Sequence, residues 1–167
     1  MRGTGKGLYV KSNPACGRSL DRRGRWVEKS GLIEGVTYED VMILRPWWWA
    51  VWLGPQQQHE PGQRLGGKCA LTYPLVATCA TQACVTFANL TLRRVFIDSP
   101  ALSPGVIMGN RSNPMANLTF DGVRVAFAPP PSARGAWPFG RGFLCAHADV
   151  RSVGGTHPEP NCSDQRA

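Results

Sequence analysis

A nine-residue segment in the middle of the chain reads Asn89-Leu90-Thr91-Leu92-Arg93-Arg94-Val95-Phe96-Ile97. Apolar residues alternate with others on both sides of the arginine pair, a pattern typical of two short β-strands separated by a turn. Two further segments align with it without gaps: Gly35-Val36-Thr37-Tyr38-Glu39-Asp40-Val41-Met42-Ile43 and Asn117-Leu118-Thr119-Phe120-Asp121-Gly122-Val123-Arg124-Val125. The repeat predicts strands that lie beside one another in matching register.

The copies recur at a nearly constant spacing. Val95 and Val123 are 28 residues apart and Val123 and Val150 are 27 apart, whereas Val41 and Val95 are 54 apart. A period in this range, with short strands and no helical periodicity, is typical of a solenoid. We therefore predict an all-β fold, namely a right-handed parallel β-helix of about three coils. The alternative is a β-sandwich, which would not be expected to repeat one nine-residue pattern at a fixed spacing.

The sequence is predicted to form one partial β-helix domain over residues 1–167. The long interval after Val41 is expected to hold an insertion loop at about residues 55–84, or else a poorly patterned extra coil. A C-terminal cap is expected at about residues 137–167, because a solenoid must cover its unpaired strand edge. No comparable cap precedes Gly7, so we expect a piece of a longer protein, monomeric once its missing N-terminal coils are supplied.

Composition narrows the class of protein and of partner. Apolar residues make up 43% of the chain and charged residues only 18%, which argues against a coiled coil and a highly charged disordered chain. The longest apolar run has seven residues, too few for a membrane span. The formal charge of +8 favours an anionic partner. Nucleic acid is disfavoured because no nucleic-acid-reading motif is recognisable, and on charge alone a solvated surface without a dedicated partner is an equal alternative. Our expectation is an acidic polysaccharide as the partner, and neither nucleic acid nor a membrane.

The cysteines and the glycosylation acceptors favour a secreted protein. Six cysteines suit disulfides, and we expect a bridge between Cys145 and Cys162, which would attach the last coil to the tail. Four triplets match the N-glycosylation pattern, with acceptors at Asn89, Asn110, Asn117 and Asn161. The N-terminus lacks the apolar stretch of a signal peptide, so an extracellular location is expected of a longer form.

Residues suited to catalysis are sparse. Glu39, Asp40 and Asp121 occupy the predicted turns, where solvated carboxylates are common. No cysteine or histidine spacing matches a metal site, so neither a catalytic residue nor a cofactor is expected. Four tryptophans cluster at positions 47, 48, 49 and 52. They are expected either to stack on sugar rings or to pack beneath the insertion.

Several motifs, taken in order, resemble the C-terminal part of polygalacturonase-like proteins in glycoside hydrolase family 28, of the pectin-lyase-like superfamily. The similarity covers roughly residues 5–163. The matching stretches are Gly7-Leu8-Tyr9-Val10-Lys11-Ser12-Asn13-Pro14, Ala50-Val51-Trp52-Leu53-Gly54-Pro55-Gln56-Gln57-Gln58, Leu102-Ser103-Pro104-Gly105-Val106-Ile107-Met108-Gly109-Asn110, Asn113-Pro114-Met115, Phe120-Asp121-Gly122-Val123 and Gly154-Gly155-Thr156.

The resemblance implies a right-handed β-helix that hydrolyses α-1,4-linked galacturonan with inversion and without a metal. The family's Asn-Thr-Asp, Asp-Asp and Gly-His-Gly motifs do not occur in this sequence. Lys11 matches the family lysine that contacts the substrate carboxylate, and Tyr9 stands where an arginine would be. We therefore expect a polygalacturonase-like chain that lacks hydrolase activity. Alternatives are a non-catalytic module that binds acidic polysaccharide, and a fragment without function.

Overall fold

A computed structural model describes residues 1–12, 16–56, 81–128 and 140–162. These residues form strands and no helix, in keeping with the all-β class. The thirteen strands are β1 (Leu8–Lys11), β2 (Arg18–Leu20), β3 (Trp26–Glu28), β4 (Gly31–Glu34), β5 (Thr37–Leu44), β6 (Val51–Gly54), β7 (Val85–Ala88), β8 (Thr91–Asp98), β9 (Gly105–Met108), β10 (Met115–Asp121), β11 (Arg124–Ala126), β12 (Leu144–Ala146) and β13 (Ala148–Val153).

The strands are arranged in three sheets. A parallel four-stranded sheet has the order β1-β6-β9-β12. A seven-stranded sheet runs β11-β8-β10-β7-β4, with β13 paired to β10 and β5 paired to β8. The strands β2 and β3 form a separate antiparallel pair. No helix that could span a bilayer occurs in the described ranges.

The predicted right-handed parallel β-helix is wrong. The described strands divide among two parallel sheets and an antiparallel hairpin, and the larger sheet branches at β8 and β10, so no uniform stack of three-stranded coils is present. The physical reason is that a repeat specifies which segments pair but not the path of the chain between them. Between β1 and β4 that path reverses direction to form the hairpin of β2 and β3.

The three aligned segments do pair in matching register. Thr91 lies opposite Thr37 on one side and opposite Thr119 on the other. The expected break at the polar pair occurs only in the third copy, between β10 and β11. In β5 and β8 the strand continues past the pair, with Asp40 and Arg94 at positive φ values of 55° and 50° and with paired residues on both sides of them.

The first and second copies are direct neighbours in both parallel sheets, since β5 pairs with β8 and β6 with β9. Most of the insertion loop expected at about residues 55–84 lies outside the described residues, as do parts of the cap expected at about residues 137–167. The described part of that cap contains β12 and β13, which extend the two parallel sheets.

Apolar side chains cover both faces of the four-stranded sheet. One face joins the main core, where Leu8, Leu53 and Ile107 pack with the inward side chains of the larger sheet. The other face carries a second cluster of Trp49, Trp52, Val106, Met108 and Ala146. Each large aliphatic side chain buried in this way contributes ~1.5–3 kcal/mol relative to exposure, so the sheet is fixed from both sides.

Candidate functional site: a basic and aromatic surface at strand β1

Strand β1 positions the two residues that the family resemblance singled out. Side chains alternate along a strand, and Leu8 and Val10 pack in the main core. Tyr9 therefore faces the opposite side, where it packs against the tryptophan cluster, and Lys11 shares its face. Backbone pairing sets Tyr9 opposite Trp52 and Lys11 opposite Gly54. The edge position of β1 thus places both side chains at the rim of the four-stranded sheet.

The end of β1 is held by the residue that follows Lys11. The Ser12 hydroxyl is buried and donates a hydrogen bond to the Gly54 carbonyl at 2.9 Å. The same hydroxyl oxygen accepts a bond from the Gln82 backbone N–H at 3.1 Å. Because these bonds fix the backbone directly after Lys11, the root of that side chain has a defined position.

A second lysine joins the site from the segment before β1. The Lys6 ammonium lies 4.4 Å from the centre of the Tyr9 ring, within cation–π range. Burial, with a smaller contribution from the nearby charge of Lys11, lowers the pKa of Lys6. Sequence reasoning missed Lys6, although two basic residues flanking a Tyr within six positions were a usable signal.

Tyr9 is neutral at physiological pH. Burial raises the pKa of its phenol to about 12, and its hydroxyl has no hydrogen-bond partner within the described part of the chain. A neutral ring beneath the Lys6 ammonium adds no negative charge that would repel an anion. The lysines and Tyr9 therefore form a compact basic and aromatic surface, which we call the β1 site.

The tryptophan cluster divides between core and surface. Trp49 and Trp52 are fully buried, and the Trp52 indole N–H donates to the Pro55 carbonyl at 2.8 Å. Trp47 is 58% exposed and meets the half-buried Trp48 ring edge-on, with centroids 5.9 Å apart. The Trp47 backbone N–H donates to the Thr4 carbonyl at 3.1 Å, and the Trp47 indole lies against Gly5, the residue before Lys6.

The carboxylates of the repeat are engaged by arginines. Arg93 reaches Glu39 at 3.6 Å and Asp121 at 3.3 Å, which links three neighbouring strands. The Arg94 guanidinium binds Asp40 at 2.6 Å and also contacts Glu39. This guanidinium lowers the pKa of Asp40, so that carboxyl stays ionised and is poorly suited to protonate a leaving group. These ion pairs between arginines and carboxylates connect the copies of the repeat to one another.

The side chains of the glycosylation acceptors Asn89, Asn110 and Asn117 form hydrogen bonds. The Asn117 amide donates to the Asn89 side-chain oxygen at 2.5 Å, and the Asn89 amide donates to Glu34 at 2.8 Å. The Asn110 amide donates to the Thr81 carbonyl at 2.8 Å. Asn161 is exposed beside Cys162.

Two disulfides cross-link distant parts of the described chain. The bridge expected between Cys145 and Cys162 is present. A second bridge joins Cys16 to Cys84, which ties the start of the hairpin segment to the turn before β7. Sequence reasoning did not pair these two cysteines, because 68 residues separate them and no local pattern connects them.

In the described ranges no group of three or more His, Cys, Asp or Glu side chains could hold a metal ion. The fold and the β1 site define an all-β protein of parallel sheets with a basic, aromatic surface at one rim. Comparisons with protein-family models, curated proteins and solved structures find no match to this chain.

Proposed function

We propose that this chain is a polygalacturonase-like protein that binds acidic, pectate-like polysaccharide at the β1 site without hydrolysing it. The observation that supports this best is the Lys6 ammonium 4.4 Å from the centre of the neutral Tyr9 ring, with Lys11 on the same face of β1. Exposed Trp47 extends the surface beside them. The motif order that resembles glycoside hydrolase family 28 supplies the class of polysaccharide.

The chemistry of the site suits a uronic acid. A lysine ammonium offers three donors to a carboxylate, and such charge-assisted hydrogen bonds are stronger than neutral ones. The flat apolar face of a sugar ring can lie against an exposed indole such as that of Trp47. One exposed ion pair contributes only ~0.2–1 kcal/mol, so useful affinity requires the repeated charges of a polymer.

Hydrolysis is not proposed for this chain. An inverting glycosidase needs an acid and a base whose carboxyl groups are ~6.5–9.5 Å apart. Glu39, Asp40 and Asp121 are paired with arginines, and the family's Asp-Asp motif is missing from the sequence. Lys6, even with its pKa lowered, remains a binding cation in this proposal.

We also propose an extracellular site of action. The two disulfides Cys16–Cys84 and Cys145–Cys162 support it, because such bonds persist in oxidising compartments. The acceptors Asn89, Asn110, Asn117 and Asn161 point the same way.

Retention on immobilised polygalacturonate at low salt tests the binding proposal. The native chain should be retained and should elute as salt rises, because screening weakens exposed charge pairs. Lys11→Ala should elute at lower salt. Arg151→Ala removes one exposed cation from the distant strand β13 and should elute almost as the native chain does. In the same incubation no reducing ends should be released.

Failure of the native chain to be retained at low salt would reject the proposal and favour a fragment without function. Equal effects of Lys11→Ala and Arg151→Ala would show that net charge, and not the β1 site, causes retention. Release of reducing ends by the purified chain would overturn the claim of inactivity.

A further inference from the structure

The antiparallel hairpin formed by β2 and β3 stands apart from the two parallel sheets and has no role in the β1 site. Its strands pair Arg18 with Glu28 and Leu20 with Trp26 across the ladder, and residues 21–25 connect them. The Lys29 backbone N–H donates to the Gly17 carbonyl at 2.7 Å, and the Cys16–Cys84 disulfide lies beside this closing bond. The hairpin is therefore anchored at its base.

Positive charge is concentrated in this segment. Residues 17–29 contain four Arg and one Lys against one Asp and one Glu, so they carry +5 − 2 = +3 of the chain's formal +8. Arg25 pairs with Asp21 at 2.9 Å, and Arg18 lies 3.9 Å from Glu28. Arg22 and Arg23, at the tip, are exposed and have no ion-pair or side-chain hydrogen-bond partner among the residues described.

The tip that carries these two arginines is ordered by Asp21. The Asp21 side chain accepts hydrogen bonds from the backbone N–H groups of Arg23 at 2.8 Å and Arg25 at 2.9 Å. The Asp21 carbonyl accepts a further bond from the Gly24 N–H at 3.0 Å, and Gly24 supplies the positive φ of 73° that the turn requires. Because the turn is formed in advance, binding through the arginines loses little backbone entropy.

An apolar strip lies next to the tip on one face of the hairpin. Leu20 and Trp26 face each other and are 56% and 69% exposed. The pair Arg18 and Glu28 shares this face, two residues further from the tip. The indole is thus bordered by cations at the tip and by an ion pair toward the base.

We propose that the β2–β3 hairpin is a second binding site for acidic polysaccharide, separate from the β1 site. Arg22 and Arg23 would bind uronate carboxylates through their planar guanidinium forks, and Trp26 would stack on an intervening sugar ring. The choice of ligand class rests on the proposed function, whereas the site itself rests on the hairpin residues.

The surroundings of the indole favour a sugar over a lipid surface. A sugar ring presents a narrow apolar face edged with hydroxyl groups, which the Arg18–Glu28 pair can hydrogen-bond. Insertion of Trp26 and Leu20 into hydrocarbon would bring that ion pair toward the membrane interior, at a large cost in hydration.

Affinity for polygalacturonate, measured by affinity electrophoresis on native and variant chains, tests the inference. The double variant Arg22→Ala/Arg23→Ala should bind about tenfold more weakly, as expected when two exposed ion pairs are lost. The matched control Arg111→Ala/Arg151→Ala removes the same charge from exposed positions outside the hairpin and should change affinity less than about twofold, since it affects only distant, screened charges.

Two further variants separate charge from geometry. Arg22→Lys/Arg23→Lys keeps the charge and should restore binding only in part, because lysine cannot form the bidentate fork. Trp26→Ala should weaken binding by a similar factor at low and at high salt, because stacking of an indole on a sugar ring is not screened by ions.

Comparison with Lys6→Ala/Lys11→Ala distinguishes the two sites. Loss of binding only in the lysine variant would overturn the hairpin proposal and leave the β1 site intact. Loss only in the hairpin variants would support the hairpin and reject the β1 site. If the native chain does not bind polygalacturonate, both sites are rejected. If it instead binds vesicles of phosphatidylserine, and this binding depends on the hairpin, the hairpin is a lipid-binding site.

Discussion

Tyr9 illustrates how a single side chain takes its properties from its surroundings. Its ring packs on the tryptophan cluster and beneath the Lys6 ammonium, while its hydroxyl is buried. Burial keeps the phenol neutral, and the positive charge beside the ring comes from Lys6, three residues earlier in the chain.

Replacement of Tyr9 by Phe tests this description. The phenol pKa is about 12 in the folded chain, above the ordinary value near 10, so the unfolded state loses its proton first as pH rises. The folded state is then destabilised between about pH 10 and 12. Tyr9→Phe should abolish the loss of folding stability that the phenol causes at alkaline pH. At neutral pH the stability of this variant should be unchanged or slightly higher.

Urea unfolding of both proteins at neutral and alkaline pH provides the measurement. An identical alkaline loss of stability in the native chain and in Tyr9→Phe would contradict the assignment. A marked loss at neutral pH would show that the hydroxyl has a stabilising partner.

At the scale of strands and turns, positive φ recurs where the repeated segments bend. Asp40, Arg94, Gly122 and Gly154 all adopt it, with φ between 50° and 68°. For a residue other than glycine this conformation costs ~1–2 kcal/mol. At Asp40 and Arg94 the ion pair between the two side chains accompanies the strained backbone, whereas the last two turns use glycine.

A pair of glycine substitutions separates backbone strain from steric fit. Gly35 has φ of 69° and no atom within 4 Å of an added Cβ, so Gly35→Ala should cost about 1 kcal/mol through strain alone. Gly154 has a similar φ of 63°, but an added Cβ would overlap the Asp121 carboxylate and lie 2.8 Å from the Gly122 nitrogen. Gly154→Ala should cost at least about 2–3 kcal/mol.

Denaturant midpoints of the two variants give the comparison. Equal losses would show that the turn after β13 has more room than the contacts of Gly154 indicate. A larger loss for Gly35→Ala would reject the steric explanation.

At the scale of the whole molecule, the disulfides connect parts of the chain that no sheet joins directly. Cys16–Cys84 spans 68 residues and Cys145–Cys162 spans 17. In the chain-entropy description, closing the longer loop restricts the unfolded state more, and the two bridges contribute ~4 and ~3 kcal/mol respectively.

Removal of each bridge by paired alanine substitutions tests their ranking. Cys16→Ala/Cys84→Ala should lower the free energy of unfolding by about 1 kcal/mol more than Cys145→Ala/Cys162→Ala does. Chemical denaturation under non-reducing conditions measures both. A smaller effect of the Cys16–Cys84 pair would mean that the hairpin segment is already constrained in the unfolded chain.

The sequence by itself determined the all-β class and the mutual register of the three repeated segments, including Thr91 between Thr37 and Thr119. It could do so because alternation at period two, repeated at a fixed spacing, gives equivalent side chains equivalent neighbours. The pairing of Cys145 with Cys162 was also accessible, since both lie near the last strands.

Only the tertiary structure decided how the strands divide into sheets, and it replaced the expected β-helix by two parallel sheets and a hairpin. It also joined Cys16 to Cys84 and left Trp47 exposed while burying Trp49. These contacts depend on the path of connecting segments that carry no repeat. The local sequence pattern determines which residues of a strand lie on the same face. Contacts between segments far apart in sequence depend on how the whole chain packs.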